Sequence, residues 1–306
     1  MPWADSAPAD GAPSGGASAG RQGAPGSFGV VGFGRMARAL LLPLIDAGVV
    51  QAGEVRAVVG SAASAQELAQ AHGLAVSCDA REAWRCPTVL LAVKPQQLEV
   101  VAAAASLAPS PPEPSPGSPR RAGSGEGSEA PLLISVLAGV TLARLERLFP
   151  GWRCVRAVPN TPCLVRAGLT GLAWGAGVGP ERQEWVRGLF ARVGEVLELP
   201  ESQLDAFLAL TSSGPAFVAL VAEAMADGAV AAGLPRGQAQ HLAHRTLAGT
   251  AALLHEQDLH PGQLKDMVSS PGGTTIAGLR QLERAGVRSA LIEAVVAAAA
   301  RSRELG

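Results

Sequence analysis

The most constraining feature of this chain is a glycine turn between an apolar run and an amphipathic segment. The apolar run, 28–32, predicts a buried strand, and the apolar spacing over 35–47 predicts a helix. The turn between them reads Gly32-x-Gly34-x-x-Ala37. Small residues at these positions allow a tight turn, close approach of a pyrophosphate and close helix packing. Together they predict a dinucleotide site; a glycine turn required only for packing is the alternative.

Apolar runs and helical segments continue to alternate along the first two-thirds of the chain. Further strands are predicted at 54–59, 74–77, 88–93, 132–137, 153–157, 168–174 and 195–199, and helices at 66–72 and 182–193. Strand–helix–strand units of this length join parallel strands by right-handed crossovers. The pattern therefore predicts an α/β fold with a mostly parallel sheet.

After Pro200 the pattern changes to helices alone. They are predicted at 215–232, 236–255, 261–269, 275–285 and 288–303, with no convincing strand after residue 203. We therefore predict a sheet domain over 28–200 and a helical domain over 201–306. Several helices have almost no polar interruption, and a second copy of the chain often covers such surfaces.

Two segments have low complexity. Residues 1–27 are rich in Ala, Gly, Pro and Ser and lack the features of a transit or signal peptide, so a disordered tail is predicted. The Pro/Ser/Gly-rich stretch 109–131 is far longer than the usual connection of about 2–6 residues. We interpret it as a solvated insertion; an error in the gene model is the alternative.

Bulk composition narrows the classes of partner. A formal net charge of −1 favours neither nucleic acid nor an anionic membrane surface. No apolar run reaches the roughly 18 residues typical of a membrane span. The four cysteines form no C-x-x-C pair, which favours reduced thiols and a cytoplasmic location. His241 and His244 lack an evident third ligand, so no metal site is predicted.

The end of the second predicted strand bears on the choice of cofactor. An Asp or Glu there usually binds the ribose 2′-hydroxyl of NAD, but none follows Val58. Arg56 is nearby and Ser61 can donate a hydrogen bond, which favours NADP; a serine that only caps the next helix is the alternative. Lys94-Pro95 ends another apolar strand, so Lys94 is either a ligand contact or a solvated lysine.

A second glycine-rich segment, Pro271-Gly272-Gly273-Thr274-Thr275, lies between two predicted helices. If a helix begins at either threonine, successive free N–H groups would converge on one space and hold a carboxylate. A threonine hydroxyl would then bind another polar atom of the substrate. A flexible linker with a threonine cap is the alternative.

These segments match a known family, in order along the chain. The matching pieces are 29–37, 92–96, 135–140, 156–162, 213–217, 223–228, 260–264 and 271–275. The chain resembles the pyrroline-5-carboxylate reductase family, and its C-terminal detail is most similar to the animal cytosolic isoform. The resemblance implies a Rossmann-like domain followed by a helical dimerisation domain, with dimers that assemble further. It also implies reduction of the cyclic imine 1-pyrroline-5-carboxylate to L-proline by NADPH or NADH.

The resemblance also implies residue roles. The cofactor would contact Gly32, Phe33, Gly34, Arg35, Met36, Ser61, Asp79, Ala92, Val93, Lys94, Pro95 and Asn160. The substrate would contact Ser213, Gly272, Gly273, Thr274 and Thr275. The Thr275 hydroxyl would hydrogen-bond the ring nitrogen as the catalytic contact. Because a protonated imine is already electrophilic, the site would supply orientation and a dry pocket.

Two positions depart from the family pattern. Ser212 stands where glycine is usual, and Asp79 stands where asparagine is frequent, near the adenosine phosphate. A carboxylate at position 79 would repel a 2′-phosphate, which weakens the preference for NADP.

Two other interpretations remain at this point. A β-hydroxyacid dehydrogenase shares the domain plan and uses a lysine in its helical domain, but Lys265 lacks the expected surroundings. A cofactor-binding regulatory protein without activity is the other. The intact glycine–threonine loop argues against it.

Overall fold

A computed structural model describes residues 27–107 and 130–305. The predicted N-terminal tail, apart from Ser27, lies outside the described residues. The predicted insertion at 109–131 also lies outside them, apart from its last two residues.

The described strands form one eight-stranded sheet. They are β1 (Phe28–Val31), β2 (Val55–Val58), β3 (Ala75–Ser77), β4 (Thr88–Leu91), β5 (Leu132–Ser135), β6 (Arg153–Pro159), β7 (Gly168–Trp174) and β8 (Gly194–Glu198). Their order is β3-β2-β1-β4-β5-β6-β7-β8. Every neighbouring pair is parallel except β6 and β7, which are antiparallel. The predicted mostly parallel α/β sheet is confirmed.

Helices cover the sheet and then continue without strands. Those within the sheet region are α1 (Arg35–Asp46), α2 (Ala62–His72), α3 (Arg81–Trp84), α4 (Leu98–Ser106), α5 (Leu142–Leu148) and α6 (Pro180–Ala191). Those after it are α7 (Leu204–Thr211), α8 (Gly214–Ala231), α9 (Arg236–Glu256), α10 (Pro261–Met267), α11 (Thr274–Arg284) and α12 (Val287–Leu305). The predicted helical region is confirmed.

The core lies on the two faces of the sheet. β1, β4 and β5 are buried along their whole length, as expected of central parallel strands covered by helices. One buried cluster includes Leu40 of α1 and Phe190 of α6, and the other includes Trp84 of α3 and Leu145 of α5. Alternate residues of the central strands enter the two clusters, so the apolar runs of the sequence cover both faces.

Several helices differ from the sequence prediction. α2 begins at Ala62, four residues before the predicted start, because the Ser61 hydroxyl accepts a hydrogen bond from the Ser64 N–H. α3, α4, α5 and α7 are absent from the prediction. All four are short, and packing of Leu204 and Leu208 into the second core cluster stabilises α7.

The four cysteines carry no disulfide. Cys78 is exposed, whereas Cys86, Cys154 and Cys163 are buried. Burial raises the pKa of all three buried thiols, to about 12 for Cys154. These three thiols therefore stay protonated and poorly reactive at neutral pH.

The helices after α7 have a very small core of their own. It consists of Ala226, Ala239 and Ala243, where α8 packs on α9. Many larger apolar side chains are exposed instead, among them Val218, Leu220, Met225, Leu242, Met267, Ile276, Leu282, Leu291, Ile292 and Val296. Apolar surface on this scale is typical of an interface.

One helical segment among the described residues, Glu201–Ala231, is long and apolar enough to cross a membrane by length and composition alone. Only 17% of its most apolar window is buried. The sequence prediction concerned uninterrupted apolar runs, and Thr211, Ser212 and Ser213 interrupt this segment.

A buried ion-pair network joins the sheet to the helical region. Arg156 of β6 is 1% exposed, and its guanidinium donates to Asp205 Oδ1 (2.9 Å) and Glu201 Oε1 (3.3 Å). Asp205 of α7 also accepts from Ser302 of α12 (2.8 Å), and Glu201 accepts from the Leu142 N–H (2.6 Å). The network therefore ties β6, α5, α7 and α12 together at one place.

Replacing Arg156 by Ala would leave two partly buried carboxylates without their cation. Because removing one partner of a buried pair costs about 3–5 kcal/mol, we expect Arg156→Ala to lower the free energy of unfolding by that order in urea denaturation. Arg301→Ala is the control, since it breaks an exposed pair with Glu304 and should change stability little. Equal losses in the two variants would contradict the role assigned to the network.

Candidate active site

The glycine turn after β1 has a backbone that only glycine adopts without strain. Gly32 has a φ of 91°, and a Cβ there would lie 2.7 Å from the carbonyl oxygen of Ala92. The Gly32 N–H donates to the Val58 carbonyl (3.0 Å), and the Ala92 N–H donates to the Val31 carbonyl (2.8 Å). The turn is therefore held between the ends of β2 and β4, at the carboxyl edge of the sheet.

α1 begins at this turn without a capping side chain. Gly34 is its N-cap, and a Cβ on Gly34 would meet nothing within 4 Å. The N–H groups of Arg35, Met36 and Ala37 have no partner within the helix, and its first turn holds no acidic residue. Free backbone donors at the positive end of a helix, with open space before them, fit the pyrophosphate of a dinucleotide.

The segment after β4 lies beside the turn. A methyl of Val93 would be 2.9 Å from a Cβ on Gly32, so the two segments are in close proximity. Lys94 is exposed, and Pro95 begins a short helical turn. β1, β4, β5 and β6 are parallel neighbours, so the residues that follow each strand meet at one edge. The structure thus brings predicted cofactor residues from 32–36 and 92–95 together.

Asn160 follows β6 at the same edge, where its side chain hydrogen-bonds two other segments of the chain. It is 4% exposed. Its amide nitrogen donates to the Thr211 carbonyl (3.0 Å), and its amide oxygen accepts from the Leu169 N–H (2.8 Å). Ser212 adds a hydrogen bond from its hydroxyl to the Pro159 carbonyl (3.1 Å). Contact of Asn160 with a cofactor stays a prediction, and its position is set by these protein partners.

The residues predicted at the adenosine end follow β2 and β3. Ser61 caps α2: its hydroxyl accepts from the Ser64 N–H (3.2 Å) and donates to the Ser64 hydroxyl (2.9 Å). The capping interpretation therefore holds, and a contact with the cofactor stays a prediction.

The guanidinium of Arg56 donates to the Gly53 and Val55 carbonyls, at the amino end of β2. Its position does not support the suggestion that it favours a 2′-phosphate.

Asp79 follows β3 and is paired with Arg81. Hydrogen bonds from the Arg81 side chain and N–H lower the pKa of the Asp79 carboxyl to about 2, so the group is ionised at neutral pH. The sequence prediction did not include Arg81. Only the short turn into α3 places it beside the carboxylate.

The loop before α11 has a similar backbone arrangement. Gly272 has a φ of 67°, and Gly273 is the N-cap of α11 without a capping side chain. A Cβ on Gly273 would lie 2.4 Å from the Ser270 hydroxyl. The N–H groups of Thr274 and Thr275 lack helical partners, and no acidic residue lies in the first turn. The predicted helix start is confirmed, and the arrangement suits a carboxylate.

Thr275 is half-buried and lines an apolar groove between α9, α10 and α11. Arg245 and Lys265 give the groove two cationic side chains. Arg245 is missing from the sequence prediction, because an arginine on a helix surface carries no signal of its own. Ser213 lies elsewhere, at the N-cap of α8. No hydrogen bond described within the chain joins residues 270–275 to the glycine turn or to Asn160.

Comparison with known proteins confirms the resemblance. A family model described as pyrroline-5-carboxylate reductase dimerisation matches residues 201–305. Another, described as NADP oxidoreductase coenzyme F420-dependent, matches residues 27–112. Pyrroline-5-carboxylate reductase of Synechocystis sp. is 46% identical, covering 91% of this chain and 97% of its own length. Pyrroline-5-carboxylate reductase 3 of Mus musculus is 38% identical, covering 92% and 96%.

A solved structure agrees with these relatives. Plasmodium falciparum pyrroline carboxylate reductase, whose structure has NADP bound, is 26% identical with a TM-score of 0.77. The match covers 92% of this chain and 98% of that one. Because the relatives match from the sheet through the helical region, over nearly their full length, this chain belongs to the pyrroline-5-carboxylate reductase family.

Proposed function

We propose that this chain reduces 1-pyrroline-5-carboxylate to L-proline with NADPH or NADH, the last step of proline synthesis. The observation that carries the proposal is a pair of glycine-capped helices. α1 begins after Gly34 and α11 after Gly273, each without a capping side chain or an acidic residue in its first turn. One fits a pyrophosphate and the other a carboxylate. Family membership supports the identity of both ligands.

The residues proposed to hold the cofactor lie along the carboxyl edge of the sheet. They are Gly32, Phe33, Gly34, Arg35, Met36, Ser61, Asp79, Ala92, Val93, Lys94, Pro95 and Asn160. The N–H groups of α1 would bind the pyrophosphate, and the segment after β4 would line the nicotinamide side. When bound, the nicotinamide supplies a hydride.

The substrate is proposed to bind at the start of α11. The N–H groups of Thr274 and Thr275, beside the Gly273 backbone, would hold its carboxylate, and the Thr275 hydroxyl would hydrogen-bond the ring nitrogen. Gly272 and Ser213 would complete the contacts. Since a protonated imine is already electrophilic, these residues need only orient it and exclude water. The chain contains no tyrosine, which removes one common general acid.

Family membership and the exposed apolar helices support a homodimer. The core of three alanines within α8 and α9 is too small to stabilise about 100 residues of helix on its own. A second copy would cover the exposed apolar residues, including those of Glu201–Ala231. We further propose that these dimers assemble into a larger homo-oligomer.

Two other proposals concern the chain as a whole. The division at 200/201 separates a cofactor domain from a dimerisation domain. The enzyme is cytoplasmic.

The direct test is loss of reduced-cofactor absorbance with 1-pyrroline-5-carboxylate, measured with NADH and with NADPH. Turnover that depends on the substrate supports the proposed reaction, and the ratio of rates gives the cofactor preference. A folded protein that binds either cofactor without turnover would instead favour an inactive cofactor-binding protein.

Removing the Thr275 hydroxyl should impair catalysis without weakening cofactor binding. We expect Thr275→Ala to lower kcat by about 10²-fold, as loss of one positioned hydrogen bond does in other enzymes. Thr275→Ser retains the hydroxyl and should recover most of the rate. Parent-like turnover by Thr275→Ala would remove Thr275 from the proposed mechanism.

A carboxylate at the start of α1 should exclude the pyrophosphate without harming the fold. Gly34→Asp adds a good capping residue in open space, so thermal stability should be kept. The dissociation constant for NADPH, measured by calorimetry, should rise on the order of tenfold or more from charge repulsion. Gly179→Asp is the matched control, since Gly179 is also an uncapped glycine N-cap, of α6, with open space around it. Similar affinities for the two variants would argue against a pyrophosphate at α1.

Charges on the exposed apolar face of α12 should prevent dimer formation. Ile292 and Val296 are 55% and 57% exposed and lie one helical turn apart. We expect the double change Ile292→Glu and Val296→Glu to give a monomer in light scattering, where the parent is a dimer or larger. The control is Val100→Glu, at an exposed apolar residue of α4 in the sheet domain. An unchanged oligomer in the double variant would exclude this face from the interface.

A further inference from the structure

Three loops lie side by side at the carboxyl edge formed by β1, β2 and β3. The Gly32 N–H donates to the Val58 carbonyl, and the Val59 N–H donates to the Ser77 carbonyl, each at 3.0 Å. Because neighbouring strands are about 4.8 Å apart, the segments that begin at Ser61 and Asp79 continue this row. The adenosine end of a dinucleotide held at the glycine turn lies over the end of the second strand of such a sheet.

The third loop presents a closed ion pair. Asp79 receives hydrogen bonds from Arg81 Nε at 3.0 Å and 2.8 Å, and from the Arg81 N–H at 3.0 Å. The Asp79 N–H in turn donates to the Ser77 hydroxyl (2.9 Å). Both side chains face solvent, 46% exposed for Asp79 and 70% for Arg81. The ion pair itself therefore carries no net charge, and the Arg81 N–H helps to hold the Asp79 carboxylate in place.

The structure assigns cofactor discrimination to this ion pair: Asp79, by neutralising Arg81, lowers the affinity for a cofactor that carries a 2′-phosphate relative to one that carries a 2′-hydroxyl. The inference rests on the proposed function, since it concerns the adenosine end of the same cofactor.

Asp79 lowers the affinity for a 2′-phosphate whether Arg81 pairs with Asp79 or with the phosphate. If Arg81 stays paired with Asp79, the 2′-phosphate lies next to a neutral ion pair and gains no attraction from it. If Arg81 pairs with the phosphate instead, which costs little because exposed ion pairs are weak, the unpaired Asp79 carboxylate lies beside the phosphate and repels it. Arg56 cannot replace it, because its guanidinium binds carbonyls at the amino end of β2. A 2′-hydroxyl carries no charge, so the Asp79 carboxylate does not repel it in either arrangement.

The test measures binding of NADPH and NADH by calorimetry, without substrate. Asp79→Asn keeps the size of the side chain and releases Arg81, so the affinity for NADPH should rise about tenfold relative to the affinity for NADH at low salt. Arg81→Gln leaves the carboxylate alone and should weaken NADPH binding. Glu304→Gln is the matched control, because it releases Arg301 from an exposed pair on α12 with the same change of net charge.

The outcomes separate the two proposals. If the parent binds neither cofactor, the proposed function fails and this inference fails with it. If the parent binds both and the ratio of affinities is the same in all variants, only this inference is overturned. A rise in NADPH affinity in both Asp79→Asn and Glu304→Gln would indicate a general effect of net charge and would also overturn it. NADH binding by each variant shows that the site has folded.

Discussion

The arrangement of the whole molecule depends on one buried guanidinium. Arg156 lies in the sixth strand, and its two carboxylate partners belong to the segment that leaves the sheet. Through Asp205 the same network reaches Ser302 in the last helix. A buried cation has to be paired with carboxylates, because leaving it unpaired costs more free energy than most single contacts provide. The path of the chain from the sheet into the helical region is therefore set at this point.

This junction also positions the edge of the cofactor site. α7 carries Asp205 near its start and Thr211 at its end, where the Thr211 carbonyl accepts from Asn160. Ser212 binds the Pro159 carbonyl, so a serine at a position where the family usually has glycine adds a hydrogen bond instead of disturbing the helix start. The helical region therefore holds the loop after β6 in place through these two hydrogen bonds.

Both proposed anion sites leave a helix start without a side-chain cap. Ser61 and Thr141 cap α2 and α5 with their side chains, as helices prefer. α1 and α11 have glycine at that position, which leaves the N–H groups available to a ligand. The exposed apolar side chains of the helical region are a comparable case, because a second copy of the chain can bury the surface that one chain leaves exposed. In both places, what the single chain leaves unsatisfied indicates what it binds.

The sequence by itself determined the alternation of strands and helices, the change to helices after residue 200 and both glycine-rich loops. These features are local: apolar spacing and glycine are visible within about ten residues. It also carried the motifs that place the chain in its family. It did not reveal the short helices α3, α4, α5 and α7, nor the early start of α2. The short apolar stretch of α7 is helical because it packs on the sheet. Only the tertiary structure decided that Arg56 points away from the cofactor edge, that Asn160 is bound by the protein, and that Arg81 closes on Asp79. Those outcomes depend on which backbone atoms and charged groups the fold brings within a few ångströms of each side chain. A sequence pattern does not contain these distances.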